Sequence, residues 1–177
     1  MTGLRPGRRR PDYLHMNPVP VTGRVRRAVR AVILADDDHV LLCRFSFPHP
    51  AVPAGATAVW AAPGGGVEPG ELPLAALRRE LYEETGLVLD ADPPHVWHQE
   101  VAATRHVDGY DGVVNDYFLV CATRFDPRGA LSDDDLAAEH ISGMRWWRHT
   151  EIDAPMSRQE IRNKKLYFPS AARNGGL

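Results

Sequence analysis

The chain has 177 residues, 44% of them hydrophobic, which suits one globular domain with a sizeable core and leaves little room for a second. Its formal charge of -2 gives no global bias toward nucleic acid or an anionic membrane. The two cysteines, Cys43 and Cys121, sit in apolar runs and read as reduced, buried thiols, and no run approaches the length of a membrane span, so a cytoplasmic protein is expected.

Residues 1–23 are rich in Arg, Pro and Gly without periodicity and read as a flexible basic arm. They lack the apolar centre of a secretory signal. The apolar runs from Arg26 to Leu34 and from His39 to Phe45 flank ADDD, a pattern that predicts a β-hairpin with a polar turn. SFPHPAVPAGA is too proline-rich for a regular element. A short run around Trp60 then leads into Pro63 and the triple glycine Gly64 to Gly66, a loop expected to be exposed and adaptable.

The clearest helix is predicted from about Pro73 to Thr85. Proline is tolerated at a first helical position, and Gly86 suits the left-handed residue that ends a helix. Leu72 is a poor N-cap, so this end is expected to fray and to rely on Glu71 acting on the helix dipole. Beyond it, VWHQEVAA and GVVNDYFLVCATRF read as strands around the turn HVDGYDG, and MRWW as another short strand. SDDDLAAE reads as loop or short helix, and residues 156–166 as a helix capped by Ser157. Residues 171–177 read as a mobile tail, leaving 24–170 as the domain. The order implies an α+β protein layered around a mixed sheet.

Residues Gly65 to Leu87, GGVEPGELPLAALRRELYEETGL, hold Gly65, Glu71, Arg79, Glu80, Glu83, Glu84 and Gly86 at fixed spacing. On a helical wheel Leu77, Leu81 and Leu74 define the buried stripe, and Glu84, Glu80 and Glu83 follow on its flank, Glu84 being the least exposed. Like charges at Glu80 and Glu84 repel, the more so where water is excluded. A divalent cation would remove the conflict, and oxygen-only donors favour Mg²⁺ or Mn²⁺ over Zn²⁺. The alternative is an ordinary solvated face with Arg79 and Glu83 as an i, i+4 pair.

This run is similar to the box of the Nudix hydrolases, G-x5-E-x7-R-E-U-x-E-E-x-G-U with U aliphatic, and matches it at every specified position. A chance match is on the order of 10⁻⁸ per start at ordinary residue frequencies. The resemblance implies an α/β/α sandwich and hydrolysis of a nucleoside diphosphate linked to another group X, releasing two phosphate-bearing products. It implies metal held at Glu80, Glu83 and Glu84, with carbonyls of Gly64 and Gly65 nearby, and a Glu71–Arg79 pair that orients the loop against the helix. Glu83 is also a candidate water-orienting base, as are Glu100, Glu139 and His140 outside the box.

Arg44, Trp60 and Arg105 are candidate substrate contacts, with Arg124 and the Arg24 to Arg30 cluster as further phosphate candidates. Trp97, Tyr110 and Phe118 could stack on a base, but such residues in strands usually belong to a core. Adjacent Trp146 and Trp147 should face opposite ways, one inward and the other outward. His95 and His98 form H-x2-H, yet three positions apart on a strand they should point to opposite faces, which disfavours a shared metal. The expected partner is a small nucleotide-derived diphosphate. RNA, through RPGRRR and RNKK, is a lesser alternative, as is a non-catalytic nucleotide sensor, and a homodimer is possible. No signature outside the box singles out one substrate.

Overall fold

A computed structural model describes residues 23–46, 57–102, 109–153 and 165–166. Four strands and a helix build the frame: β1 (Val25–Ala35), β2 (His39–Ser46), β3 (Ala58–Ala61), α1 (Pro73–Thr85) and β4 (His95–Ala102). They are followed by β5 (Gly112–Ala122), α2 (Asp133–Ala138), β6 (Ile141–Arg148), α3 (His149–Asp153) and β7 (Lys165–Leu166). The sheet runs β4-β5-β1-β2-β3-β7, with β6 also pairing with β2. It is mixed: β1 with β5 and β3 with β7 are parallel, the remaining pairs antiparallel.

The ADDD turn joins β1 and β2 as expected, with Asp38 at φ 62° and its amide bonded to the Ala35 carbonyl. The hairpin itself is short. Beyond the Leu34–Val40 pair the two strands part, and β1 instead pairs with β5 from Val25–Gly112 to Ala35–Ala122. β3 takes over the vacated edge of β2, pairing Cys43 to Ser46 with Ala61 to Ala58.

Because strand side chains alternate, Val29, Ala31 and Ile33 of β1 and Phe118 and Val120 of β5 share one face. There they meet Ala76, Leu77 and Leu81 of α1, a fully buried contact in which each leucine contributes about 1.5–3 kcal/mol. α2 covers the same side of the sheet through Leu136, against Cys43, Phe45, Val59 and Ile141. On the opposite face Val40, Leu42 and Trp147 pack with Val32, Leu34, Trp60 and Ile152 of α3. Helices on both sides make an α/β/α sandwich.

This two-sided cover corrects the reading of the adjacent tryptophans. Trp146 packs on the α1 side, its indole N–H donating to the Phe125 carbonyl at 2.9 Å, while Trp147 is buried on the other side, so both serve a core. It also corrects the cysteines: Cys43 is buried, but Cys121 alternates out of the apolar run of β5 and is exposed. The segment predicted as a helix to 166 lies largely outside the described residues, and its last two, Lys165 and Leu166, instead pair as a strand with Val59 and Trp60. Residues 1–22 of the N-terminal arm, residues 47–56 and the C-terminal tail also lie outside the described residues. Among the described residues no helix is long and apolar enough to cross a membrane.

Helix α1 has the bounds that its proline and glycine dictate. Gly86, at φ 77°, closes it in the left-handed conformation, its amide bonding to Tyr82 and that of Leu87 to Leu81. No side chain caps the N-terminus at Leu72. Returning from β5, the chain bonds Ala130 and Leu131 to the carbonyls of Tyr82 and Glu83, which fixes α2 beside the last turn of α1. Ser132 and Asp135 then form a reciprocal capping box that starts α2.

Candidate active site

After β3 the chain crosses from β2 to β1, and residues 63–67 occupy the gap where those strands part. The Val29 amide donates to Gly65, the Ala31 amide to Pro63, and the Val67 amide to Arg27. The loop expected to be exposed and adaptable is therefore ladder-bonded, with Pro63 and Gly64 buried. The reason is that β1 would otherwise bury unpaired amides along this edge. Gly64 has φ 121°, and a β-carbon there would overlap the Val29 carbonyl. Its amide, turned toward α1, donates to Glu84 Oε2 at 2.8 Å.

Glu84 is only 4% exposed, as its place beside the leucine stripe predicts. Burial pushes its carboxyl up to about 7, against the opposing pull of the Gly64 amide and of Arg30. Glu80, one turn earlier, lies against Gly65 so closely that a β-carbon on that glycine would overlap its carboxylate. Burial raises the Glu80 carboxyl too, opposed by Arg79.

Arg79 laces loop and helix together. Its Nε and Nη2 each meet one oxygen of Glu71 at 3.0 Å, Nη2 also donates to the Gly66 carbonyl at 3.0 Å, and Nη1 reaches Glu80 at 2.9 Å and Glu83 at 3.2 Å. The hydrogen bonds from Arg79 hold the Glu71 carboxyl below its ordinary range. Glu71 also accepts from the Glu68 amide at 3.0 Å, so it serves the loop rather than the free amides at the start of α1. The i, i+4 pair of Arg79 and Glu83 exists, but as one arm of this larger network.

A second guanidinium lies below the loop. Arg30 is 8% exposed and donates from Nη1 to the carbonyls of Gly64 and Ala62. By sequence it is one member of the Arg24 to Arg30 cluster; the signal for its burial is an arginine inside the apolar run AVRAVIL. Arg26, partly buried nearby, has its pKa lowered by burial and by Arg30, with Tyr110, Glu80 and Glu139 acting in the other direction. The Gly64 carbonyl accepts from Arg30 and the Gly65 carbonyl from the Val29 amide, which leaves each oxygen a second lone pair.

The charged donors available to an ion are the carboxylate oxygens of Glu80, Glu83 and Glu84. Counting Glu71, four carboxylates face Arg79 and Arg30. That negative excess and all-oxygen chemistry fit a hard divalent ion such as Mg²⁺ or Mn²⁺. The group of His, Asp and Glu ligand atoms that lie within 4.8 Å of one another among the described residues is a different one, His95, His98 and Asp116.

The remaining candidates fall in separate places. Arg44 Nη1 donates to Ser142 at 2.8 Å, with Ser46 Oγ at 3.4 Å. Trp60, its cross-strand neighbour, meets Trp147 edge to face at 5.1 Å. Arg105 lies outside the described residues. Arg124 pairs with Asp37 at 3.1 Å beside the β1–β2 turn. Trp97 stacks on Tyr117, Arg24 covers Tyr110, and Phe118 is core. Glu100 is bonded to His98 on β4, two strands from β1, whereas Glu139, at the end of α2, acts electrostatically on Glu84 and Arg26. His140 takes φ 62° in the turn into β6. A cavity of about 540 Å³ lined by Arg128, Leu136, Ile141 and Met144 contains none of the box carboxylates.

Residues 24–168 match the NUDIX domain family model. The chain belongs to the Nudix family. It is 31% identical over 97 residues to a nucleoside triphosphatase NudI of Salmonella agona, and 35% over the same length to that of Escherichia fergusonii, in each case covering 54% of this chain and 66% of the relative. The match thus spans just under two thirds of those relatives. Among solved structures, a MutT protein from Methanosarcina mazei has a TM-score of 0.55 at 22% identity over 74% of this chain and 82% of its own. A MutT NUDIX hydrolase from Burkholderia pseudomallei has a TM-score of 0.55 at 21% identity over 77% and 93%. These likenesses establish the fold.

Proposed function

We propose that this chain is a divalent-cation-dependent pyrophosphohydrolase that cleaves NDP-X with water to NMP and P-X. The observation that carries the reading is Glu84: a carboxylate 4% exposed on α1, aimed by the Gly64 amide, one turn from Glu80, whose carboxylate lies where a β-carbon on Gly65 would stand. Burying such a group costs free energy that its one amide bond does not recover, as its raised pKa records, so it is better explained by a ligand than by stability.

Glu80, Glu83 and Glu84 would hold the ion, which when bound would shield the diphosphate charge and lower the pKa of an attacking water. Gly64 and Gly65 contribute by shape and by the amide on Glu84. Arg79 and Glu71 keep loop and helix in register, and Arg79 offsets the repulsion among the carboxylates. Arg26, whose guanidinium lies beside Gly66, would contact a substrate phosphate. Glu139 is the favoured acceptor for the proton of water, since Glu100 is committed to His98.

The NudI relatives are nucleoside triphosphatases, and a nucleoside triphosphate is an NDP-X in which X is phosphate. Triphosphates are therefore the first substrates to try, releasing NMP and pyrophosphate. The test is a product screen over nucleoside triphosphates, ADP-ribose, NADH, dinucleoside polyphosphates, nucleotide sugars and capped RNA, with and without Mg²⁺. Cation-dependent release from at least one is expected. No turnover of any, in protein that binds Mg²⁺, would overturn the enzymatic reading in favour of a nucleotide sensor.

A further inference from the structure

The H-x2-H pair does not behave as a regular strand dictates. Register between β4 and β5 shifts at a bulge: His95 pairs with Phe118, Trp97 with Tyr117 and His98 with Asp116. Three residues of β4 thus span two of β5, and the extra residue turns His95 and His98 to the same face. The expectation of opposite faces is overturned by this bulge. His95 Nε2 and His98 Nδ1 converge on one atom, Asp116 Oδ1, at 3.0 and 2.7 Å.

We propose that His95, His98 and Asp116 form a second metal site, separate from the box, for a borderline transition-metal ion of the Zn²⁺ class. Two imidazole nitrogens and one carboxylate oxygen suit such an ion and not Mg²⁺. In a tetrahedral site with bonds of about 2.0–2.1 Å, donors lie about 3.3 Å apart, so the 3.0 Å and 2.7 Å contacts of Asp116 need to open by about 0.3 and about 0.6 Å. All three ligand atoms already lie within 4.8 Å of one another.

The surroundings are those of a built site. Glu100 Oε1 lies 3.2 Å from His98 Nε2, and an Nε2–H donated to it leaves the Nδ1 lone pair facing Asp116 and an ion. Arg27 approaches Asp116 Oδ2 at 3.5 Å and leaves Oδ1 to the histidines. Asp116 is buried while both rings are half-exposed, so an ion can enter from solvent and would clamp the edge strand β4 to β5. Without an ion, both nitrogens facing Oδ1 must carry protons.

The test uses the full chain with Glu80→Gln and Glu84→Gln, so that the box cannot take the ion, and as a second format the unaltered chain in saturating Mg²⁺. After chelator treatment each is titrated with Co²⁺ and Zn²⁺, following visible absorption, calorimetry and the histidine ring resonances. We expect one equivalent bound with a tetrahedral-type cobalt spectrum, perturbed His95 and His98 rings, and no displacement by Mg²⁺. His95→Gln and His98→Gln should each weaken binding at least tenfold, and loss of the Glu100 support by Glu100→Gln about tenfold. Absence of uptake in both formats, or uptake unchanged in both histidine variants, would overturn the site and leave two histidines hydrogen-bonded to a carboxylate. The outcome is independent of nucleotide hydrolysis.

Discussion

The amide of Gly64 and the carboxylate of Glu84 meet at 2.8 Å across twenty residues of chain, joining the arm that fills the gap beside β1 to the last turn of α1. Replacing the carboxylate by an amide tests what that contact is for. Glu84→Gln should lower Mg²⁺-dependent turnover by about 10²–10⁴-fold, the range of a lost general-acid/base or electrostatic group, with the fold retained. Steady-state kinetics and circular dichroism check this, and unchanged turnover would refute the role of Glu84.

Glu84 also predicts a pH dependence of stability. Its carboxyl rises from an ordinary 4.5 to about 7 on folding, so between those values the native state binds more protons than the unfolded chain. The stabilisation is fully present below pH 4.5 and is lost as pH rises through about 7, an effect on the order of 3 kcal/mol. The raised Glu80 and His98 act in the same direction, so the informative quantity is the difference between wild type and Glu84→Gln. Metal-free wild type should lose melting temperature relative to that variant between pH 5 and pH 8, and Mg²⁺ should restore it. A pH-independent difference would contradict the assignment.

At Gly65 the close neighbour is a single functional carboxylate. Gly65→Ala should displace Glu80 and weaken Mg²⁺ affinity and turnover more than it lowers melting temperature. Gly64→Ala should do the opposite: its φ of 121° and the overlap with the Val29 carbonyl predict a loss of about 1–3 kcal/mol in denaturant unfolding. Equal effects on binding and stability in both variants would argue against this division of labour.

Arg79 holds Glu71 with two prongs and Glu80 and Glu83 with a third. A lysine keeps the charge but cannot form the fork. Arg79→Lys should therefore lower stability by about 1–2 kcal/mol and turnover severalfold or more. Combined with Glu71→Gln it should cost less than the sum of the two, which a double-mutant cycle measures.

Much of this protein is legible in local chemistry. The ends of α1 follow from Pro73 and Gly86, its buried side from Leu77 and Leu81, and the burial of Glu84 from its angle to those leucines, because capping and helical period act over a few residues. The spacing within the box likewise suffices to bring Arg79, Glu80, Glu83 and Glu84 to one helical surface, since all four lie within two turns. What local pattern does not supply is which strand edge each segment meets. The burial of Gly64, the closure of Arg30 onto the glycine loop and the turning of His95 toward Asp116 all depend on backbone partners far along the chain. A single inserted residue at a bulge reverses the face of everything after it, and no period within β4 records where that insertion falls.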